Sequence, residues 1–224
     1  MAIIISKDGK NAQKVNPSNF DLENKIQEYI FENPDTIPLY EIASDIRLFI
    51  AAREFQTKSG PIDGLGFDEQ GNIYVIETKL YKNPDKRTVL AQVLDYGASL
   101  WKNYSNFEDF IQQLNQASKK KFNTLFQDKY AEFFGLEDAS ENISLIQSNL
   151  SAGKIKFVIL MDKLHDQLKD LVVFVNQNSK FDIYAVEIEY YKHNDFEIVI
   201  PKIYGTEVKK DLQLDTQKTA LEYT

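Results

Sequence analysis

Residues 60–96 read GPIDGLGFDEQGNIYVIETKLYKNPDKRTVLAQVLDY, and this stretch decides the fold. Apolar and other residues alternate across 62–80 around a group of turn formers at 68–72, DEQGN. Such a pattern predicts two strands joined by a short loop. A three-residue loop at 69–71, with Gly71 in the left-handed conformation, is the connection that best suits this break. The stretch therefore predicts a β-hairpin.

The predicted register brings three charged side chains together. If Phe67 faces Ile73, then Asp63 faces Glu77, with Cβ atoms about 4.5–5.5 Å apart. Lys79 lies on the same face as Glu77 because side chains alternate along a strand. Two opposed carboxylates destabilise a ladder unless a lysine or a hard divalent cation compensates them. The alternative is an exposed hairpin whose charges extend into water.

The composition predicts a packed globular protein with few metal-binding options. The chain has 224 residues, of which 43% are hydrophobic, and this is enough for a sizeable core. Because cysteine is absent, disulfides, a thiolate zinc site and a cysteine nucleophile are excluded. The two histidines, His165 and His193, make a multi-histidine site improbable.

Charge limits the partners that the sequence favours. A formal net charge of −8 argues against unspecific binding to a phosphate backbone. Basic residues nevertheless cluster beside the hairpin, at Lys79, Lys82, Lys86 and Arg87. A second run at 119–121 is either a further nucleic-acid contact or a solvated helix face. A local basic strip on an acidic protein is therefore the expected nucleic-acid surface.

The segments before the hairpin form its predicted surroundings. A small hairpin is expected within 2–15, followed by a helix that begins near Ser18–Asp21 and stops at Asn33–Pro34. Glu23 lies near the start of this helix, either beside its inward face or on the surface. A strand over 47–55 then leads into the hairpin, which gives three consecutive antiparallel strands.

After the hairpin, a helix is predicted from 83–85 to about Tyr104. Its packing stripe consists of Val89, Val93, Gly97 and either Leu100 or Trp101. Gln92 and Tyr96 are four residues apart and project from one side of the helix. They either point toward the hairpin or flank the packing face.

The second half of the chain is predicted to be helical first and then mixed. Helical patterns without strand signals occupy 106–150, and we interpret them as an insertion. The run IKFVILMD at 155–162 is typical of a buried central strand. An amphipathic helix, a strand over about 181–191 and a strand over about 196–205 follow, and the tail from Thr206 is polar.

This order of elements resembles the PD-(D/E)XK nuclease superfamily, which has the restriction-endonuclease-like fold. The residues that carry the resemblance are Glu23, Pro61-Ile62-Asp63, Ile76-Glu77-Thr78-Lys79 and Gln92-Val93-Leu94-Asp95-Tyr96. Within the superfamily the chain is most similar to the NucS-type endonuclease branch. The resemblance spans 16–102 well and 155–204 more loosely, and the insertion at 106–150 has no counterpart.

The resemblance implies a Mg²⁺- or Mn²⁺-dependent nuclease that acts on DNA. It assigns metal binding to Asp63, Glu77, the backbone carbonyl of Thr78 and Glu23. The implied catalytic residues are Asp63, Glu77, Lys79, Glu23, Gln92 and Tyr96, and the implied nucleic-acid contacts are Lys82, Lys86 and Arg87. A two-fold dimer would suit double-strand cutting.

The expected fold class is a mixed-sheet α/β (α+β) protein with a restriction-endonuclease-like αβββαβ core. We expect one domain over 1–224, with an N-terminal hairpin (1–16), a catalytic core (17–104), a helical insertion (105–152), a completing βαββ portion (153–204) and a polar tail (205–224). No signal peptide or run of about 18 apolar residues is evident, so we expect a cytoplasmic protein without a membrane contact.

Two other functions remain open at this point. The first is a catalytically silent module that binds nucleic acid or a protein partner in a repair or defence assembly. The second is a structural or regulatory domain that uses the site only to bind a metal. Fold alone does not decide between them, because related folds carry different functions.

Overall fold

A mixed α/β architecture is formed by residues 2–82, 88–104 and 106–206, which are the residues that the computed structural model describes. The strands are β1 Ile3–Lys7, β2 Lys10–Val15, β3 Pro17–Ser18, β4 Phe49–Thr57, β5 Gly60–Phe67, β6 Ile73–Lys79, β7 Ile155–Met161, β8 Asp182–His193 and β9 Phe196–Tyr204. The helices are α1 Glu23–Glu32, α2 Thr88–Asn103, α3 Phe107–Phe122, α4 Phe126–Phe134, α5 Ser140–Ser151 and α6 Asp166–Asn178. Two short 3₁₀ turns, Pro34–Thr36 and Leu39–Glu41, follow α1.

One mixed sheet organises the chain. Its strand order is β3-β8-β7-β6-β5-β4, and β9 pairs with β8. The pairs β4–β5 and β5–β6 are antiparallel, whereas β6–β7 and β7–β8 are parallel. The order α1-β4-β5-β6-α2, followed later by β7, confirms the predicted αβββαβ series and the predicted fold class.

The sheet separates two hydrophobic cores. Because side chains alternate along β6, Tyr74 and Ile76 enter one core, and Ile73 and Val75 enter the other. Helix α1 packs on the first face, and α2 to α6 pack on the second. β7 is buried on both faces, which explains its continuous apolar sequence. β6 therefore contributes side chains to both cores.

The hairpin of β5 and β6 has the predicted register. Phe67 pairs with Ile73, and the pairing continues to Gly64 opposite Ile76. Gly71 has a φ of 73°, the left-handed conformation that the loop requires. A Cβ atom on Gly71 would lie 2.8 Å from the side chain of Leu145 on α5. The loop therefore needs glycine both for its backbone and for its contact with the helical insertion.

Asp68 anchors this loop in a way that the sequence did not reveal. Its side chain is buried, and Oδ1 accepts the backbone N–H groups of Gln70 and Asn72, each at 3.0 Å. Its Oδ2 accepts the Tyr74 hydroxyl at 2.9 Å. The backbone carbonyl of Asp68 accepts the Tyr130 hydroxyl at 2.6 Å. One carboxylate thus ties the loop to β6, and the neighbouring carbonyl ties it to α4.

The other predicted elements are largely confirmed. β1 and β2 form the N-terminal hairpin, the residues of 106–150 that the structure describes contain three helices, and 155–204 forms a βαββ unit. The placement of all these parts in one domain stays a prediction. Within the described ranges, no helix combines the length and the hydropathy needed to cross a bilayer.

Three expected boundaries differ from the structure. α1 begins at Glu23 after an N-cap residue, Leu22, that makes no side-chain cap, so the predicted start near Ser18–Asp21 was too early. Phe20 is instead buried beside the sheet, where its ring stacks on Tyr190 at 4.3 Å. β4 begins and ends two residues later than expected. The early part of the predicted second helix, at 83–85, and the tail from 207 lie outside the described residues.

Helix α2 packs closely on the sheet at Gly97. A Cβ atom there would lie 2.6 Å from the ring of Phe157 on β7. Val89, Val93 and Leu100 are buried on the same helix, whereas Trp101 is 55% exposed. Leu100, and not Trp101, therefore completes the packing stripe.

Gly97→Val should therefore destabilise the protein by about 1–3 kcal/mol, because the added methyl groups overlap a ring that has little room to move. Urea denaturation measures the effect. Ala98→Val, at an exposed position on the same helix, is the control and should cost less than about 0.7 kcal/mol. Equal stability of Gly97→Val and the wild type would contradict this packing.

Candidate active site

Glu77 is the most buried charged group of the candidate site. It lies on β6, and its side chain is 1% exposed. Lys79, two residues later on the same face of the strand, places its Nζ 2.9 Å from Glu77 Oε1. The other carboxylate oxygen, Oε2, is buried and has no hydrogen-bond partner among the residues that the structure describes. A lone buried acceptor of this kind calls for an explanation.

Asp63 lies on β5 just beyond Gly64, the last residue of this strand that pairs with β6. Its Oδ2 accepts both the backbone N–H of Thr78, at 2.8 Å, and the Thr78 hydroxyl, at 2.7 Å. A side chain thus occupies a hydrogen-bonding position that a facing backbone carbonyl usually fills. The register places Asp63 opposite Glu77 by continuation from Gly64 and Ile76. The carboxylate reaches one residue further along β6 than simple opposition predicts.

Glu23 reaches the same place from α1. It is the first residue of the helix, and its Oε1 accepts the backbone N–H of Leu80 at 3.1 Å. Its Oε2 lies 3.9 Å from Lys79 Nζ. Lys79 is therefore between two carboxylates, Glu23 and Glu77. The later helix start places Glu23 in the first turn, where its side chain turns toward the end of β6.

The Gln92–Tyr96 pair approaches the hairpin from α2. Gln92 Nε2 donates to the Tyr96 hydroxyl at 2.8 Å, and Tyr96 is buried. The Tyr96 hydroxyl lies 3.8 Å from where a Cβ atom on Gly60 would be, at the start of β5. Of the two arrangements left open by the sequence, the structure shows the pair directed toward the hairpin.

The predicted nucleic-acid contacts are only partly described. Lys82 is exposed, and its Nζ donates to the backbone carbonyl of Asp21 at 3.0 Å. Lys86 and Arg87 lie outside the described residues. In the second basic run, Lys121 forms an ion pair with Glu32 and lies 4.9 Å above the Phe31 ring. Lys121 therefore makes contacts within the protein.

Burial and proximity set the charge state of the site. Burial, helped by the negative charge of Asp63, raises the pKa of Glu77 to about 7. Burial also raises the pKa of Asp63, although the two bonds from Thr78 oppose that rise. Burial alone would lower the pKa of Lys79, but the hydrogen bond and charge of Glu77, together with the charges of Glu23 and Asp63, outweigh burial and raise it. Burial first, and then the charges of Glu77 and Asp63, raise the pKa of Tyr96.

The residues present fit a divalent cation through two carboxylates. Asp63 and Glu77 are close enough for their charges to interact, and the buried Glu77 Oε2 has no hydrogen-bond partner in the part of the chain that the structure describes. Hard cations such as Mg²⁺ are commonly held by one or two carboxylates, with water completing the shell. No group of three or more acidic or histidine side chains is arranged to hold a metal within residues 2–82, 88–104 and 106–206. Glu23, which the resemblance assigned to the metal, therefore does not form one three-residue ligand group with Asp63 and Glu77, and it lies beside Lys79 instead.

Thr78 contributes more to the site than its sequence context predicts. We expected only its backbone carbonyl to take part, but its N–H and hydroxyl both hold Asp63. A threonine between Glu77 and Lys79 has an ordinary β-strand preference, so the sequence carries no separate signal for this role. The contact becomes visible only when the two strands are placed side by side.

Comparisons with known proteins leave the family open. No protein-family model matches the sequence, and no curated protein is significantly similar to it. A chain in a solved EndoMS–dsDNA complex is similar over 81% of this chain and 64% of that chain, with 14% identity and a TM-score of 0.30. This chain thus spans less than two thirds of that neighbour. A likeness at this level carries no argument about function, so the conclusions below depend on this chain's own geometry.

The raised pKa of Glu77 predicts a pH-dependent stability. The unfolded carboxyl group, with a pKa near 4.5, loses its proton before the folded one, with a pKa of about 7. Stability is therefore fully present below about pH 4.5 and is lost progressively as the pH rises through 7.

Glu77→Gln should remove this loss, because the amide does not titrate. Between pH 4.5 and 7.5, without divalent metal, the wild type should lose up to about 3 kcal/mol relative to this variant. Chemical denaturation across the pH range measures the difference. Glu137→Gln, at an exposed loop position, is the matched control and should follow the wild type. Parallel curves for the wild type and Glu77→Gln would show that Glu77 titrates normally.

Proposed function

We propose that this protein is a metal-dependent nuclease that hydrolyses phosphodiester bonds, with DNA as the expected substrate. The observation that carries the proposal is the pair of half-buried Asp63 and buried Glu77. One Glu77 oxygen has no hydrogen-bond partner among the described residues, and a lysine lies 2.9 Å from the other. The motif order, with Glu23 before it and Gln92 and Tyr96 after it, supports the same reading. The nuclease-like order of elements agrees with it.

The carboxylates would hold the cation. Asp63 and Glu77 supply oxygen ligands, and the backbone carbonyl of Thr78 is the third protein group that we assign. A bound Mg²⁺ or Mn²⁺ supplies Lewis-acid polarisation of the phosphate and lowers the pKa of a bound water. Because Glu77 must be ionised to bind a cation, its raised pKa makes metal affinity increase through about pH 7.

Lys79 would act on the phosphate and on the attacking water. Its ammonium group lies beside Glu77 Oε1 and 3.9 Å from Glu23 Oε2, so two carboxylates fix its position. A fixed cation stabilises the negative charge that develops on phosphate oxygens without reorganising in the reaction. Glu23 would position Lys79 and bind the cation through water.

Gln92 and Tyr96 would orient a phosphate oxygen or a water molecule. Their mutual bond leaves further donors on the Gln92 amide and lone pairs on its oxygen. Lys82, Lys86 and Arg87 would contact the nucleic-acid backbone, which positions a strand without reading its sequence.

The net charge of −8 disfavours a phosphate backbone as partner and so favours the protein-binding form of a second candidate function. In that function the site is catalytically silent, and the chain binds nucleic acid or a protein partner in a repair or defence assembly. Binding without cleavage under every divalent metal would distinguish this module from an enzyme.

Purified protein should cleave DNA only with Mg²⁺ or Mn²⁺. Asp63→Asn and Lys79→Met should each reduce the cleavage rate by at least about 100-fold. Asp63→Asn removes a carboxylate that would hold the cation, and Lys79→Met removes the positive charge that would face the reacting phosphate. Lys180→Met, an exposed charge change just before β8, is the control and should keep the wild-type rate.

A metal titration separates binding from catalysis. At pH 8, Mn²⁺ should raise the melting temperature of the wild type more than that of Glu77→Gln, because the variant loses one of the two carboxylates assigned to the cation. Cleavage that survives both Asp63→Asn and Lys79→Met would overturn the assigned site.

A further inference from the structure

The N-terminal hairpin of β1 and β2, residues 3–15, lies outside both hydrophobic cores. None of its residues belongs to either core, and Val15 is its one buried side chain. A two-stranded hairpin on its own is at most marginally stable in water. The proposed catalysis assigns no role to this hairpin, so it requires its own account.

The turn of this hairpin is nevertheless built for a tight two-stranded ribbon. Asp8 and Gly9 connect the strands with φ values of 52° and 70°. Positive φ at both central residues is what a type I′ hairpin turn requires, and its twist matches that of the strands. Lys7 and Lys10 flank the turn and pair with each other across the ladder. The ribbon therefore ends in a defined turn between two lysines.

The hairpin is basic, although the protein is acidic. Lys7, Lys10 and Lys14 against one aspartate, Asp8, give it a formal charge of +2, whereas the whole chain carries −8. All three lysines are exposed, and none forms an ion pair with another residue that the structure describes. Like charges directly opposite each other, as in the Lys7–Lys10 pair, destabilise a ladder. An external anion would relieve this repulsion.

The hairpin begins at the same end of the sheet as the candidate active site. Lys79 is level with Glu187 of β8 through Met161 of β7. Tyr190, three residues further along β8, pairs with Ser18 of β3, and β3 follows β2 after a single residue. From a strand spacing of about 4.8 Å and a rise of about 3.3 Å per residue, the backbone of Ser18 lies about 17 Å from that of Lys79. This distance is about half of one turn of duplex DNA.

We propose that the basic hairpin binds the phosphate backbone of a DNA duplex whose scissile phosphate lies at the candidate active site. The inference rests on the proposed nuclease function and names its substrate class as duplex DNA. Lys7, Lys10 and Lys14 contact phosphates, and each contact releases condensed counterions. Such contacts hold a duplex in place without reading its sequence. A local basic ribbon thus lets a protein of net charge −8 hold a polyanion.

The shape of the ribbon favours duplex DNA over other nucleic acids. A two-stranded β-ribbon fits the major groove of B-form DNA, which is about 12 Å wide. The major groove of an RNA duplex is deep and narrow, so the same ribbon does not enter it. A single strand offers no groove. The hairpin should therefore bind duplex DNA more tightly than duplex RNA or single-stranded DNA.

Duplex binding, measured by fluorescence anisotropy with chelator present so that no strand is cleaved, tests the inference. The variant Lys7→Gln/Lys10→Gln/Lys14→Gln should bind duplex DNA at least about 10-fold more weakly than the wild type at about 0.1 M salt. It should also lower the slope of log affinity against log salt by about 2–3, because each lost phosphate contact accounts for about 0.9.

A matched variant removes the same charge away from the hairpin. Lys154 and Lys180 are exposed and precede β7 and β8, at the amino ends of these strands. Lys102, also exposed, adjoins Trp101, whose indole N–H donates to the Ser151 carbonyl at 3.2 Å. Lys102→Gln/Lys154→Gln/Lys180→Gln should stay within about 3-fold of the wild type, because charges more than about 10 Å away are screened at 0.1 M salt.

Gly9→Val separates the shape of the ribbon from its charge. A Cβ atom on Gly9 meets nothing within 4 Å, but its φ of 70° disfavours a β-branched residue. The variant keeps all three lysines and should bind duplex DNA at least about 3-fold more weakly than the wild type. The melting temperatures of this variant and of the hairpin lysine variant should stay close to that of the wild type, because the hairpin lies outside both cores.

Several results would overturn the proposed role of the hairpin. These are wild-type duplex affinity in the hairpin lysine variant or in Gly9→Val, equal weakening by the two lysine variants, equal affinity for duplex RNA and duplex DNA, or no duplex binding by the wild type. Ile4 on the same ribbon is 65% exposed, so vesicles that contain phosphatidylserine test for a lipid surface instead. Lysine-dependent vesicle binding without duplex binding would also overturn the proposal.

The hairpin and the nuclease can fail separately. Metal-dependent cleavage that Asp63→Asn abolishes, together with unchanged duplex binding by the hairpin lysine variant, would reject the hairpin and keep the nuclease. Hairpin-dependent duplex binding without cleavage under any divalent metal would keep the hairpin as a DNA contact and reject the nuclease.

Discussion

The burial of Glu77 is the constraint on which the rest of this structure depends. An ionised carboxylate in a protein interior costs several kcal/mol unless charges or hydrogen bonds offset it. Here Lys79 lies against one oxygen, while the other has no hydrogen-bond partner in the described ranges. Asp63 adds a second negative charge nearby, which raises the pKa of Glu77 further. A group that is this costly to bury, at the centre of a sheet, is a candidate for a role in function rather than in stability.

The surrounding fold is built to hold that group in place. β6 has neighbours on both sides of the sheet and a hydrophobic core on each face, so the strand that carries Glu77 cannot shift without disturbing both cores. Asp68 and Gly71 fix the hairpin loop against α4 and α5 of the helical insertion. Thr78 fixes Asp63 at the point where the ladder ends. The insertion, which has no expected counterpart, thus stabilises the hairpin that carries the candidate site.

The features visible in the sequence were those with a period or a turn signal. Alternation and Gly71 fixed the hairpin register, and the apolar run of β7 indicated a central strand. Features that depend on contacts between distant segments were not visible. The start of α1 was misplaced because Phe20 packs against the sheet rather than extending the helical stripe. The two hydrogen bonds that Thr78 donates to Asp63, and the stacking of Tyr81 on His165, likewise become visible only when the strand ends are placed side by side.

A crystal structure with Mn²⁺, using its anomalous signal, tests the central claim most directly. The account predicts one peak in contact with a carboxylate oxygen of both Asp63 and Glu77 at pH 8, with Lys79 still beside the site. The peak should weaken at pH 5.5, where protonation of Glu77 competes with the metal. An empty site at saturating Mn²⁺, or a peak bound elsewhere while Lys79 remains the sole partner of Glu77, would contradict the account.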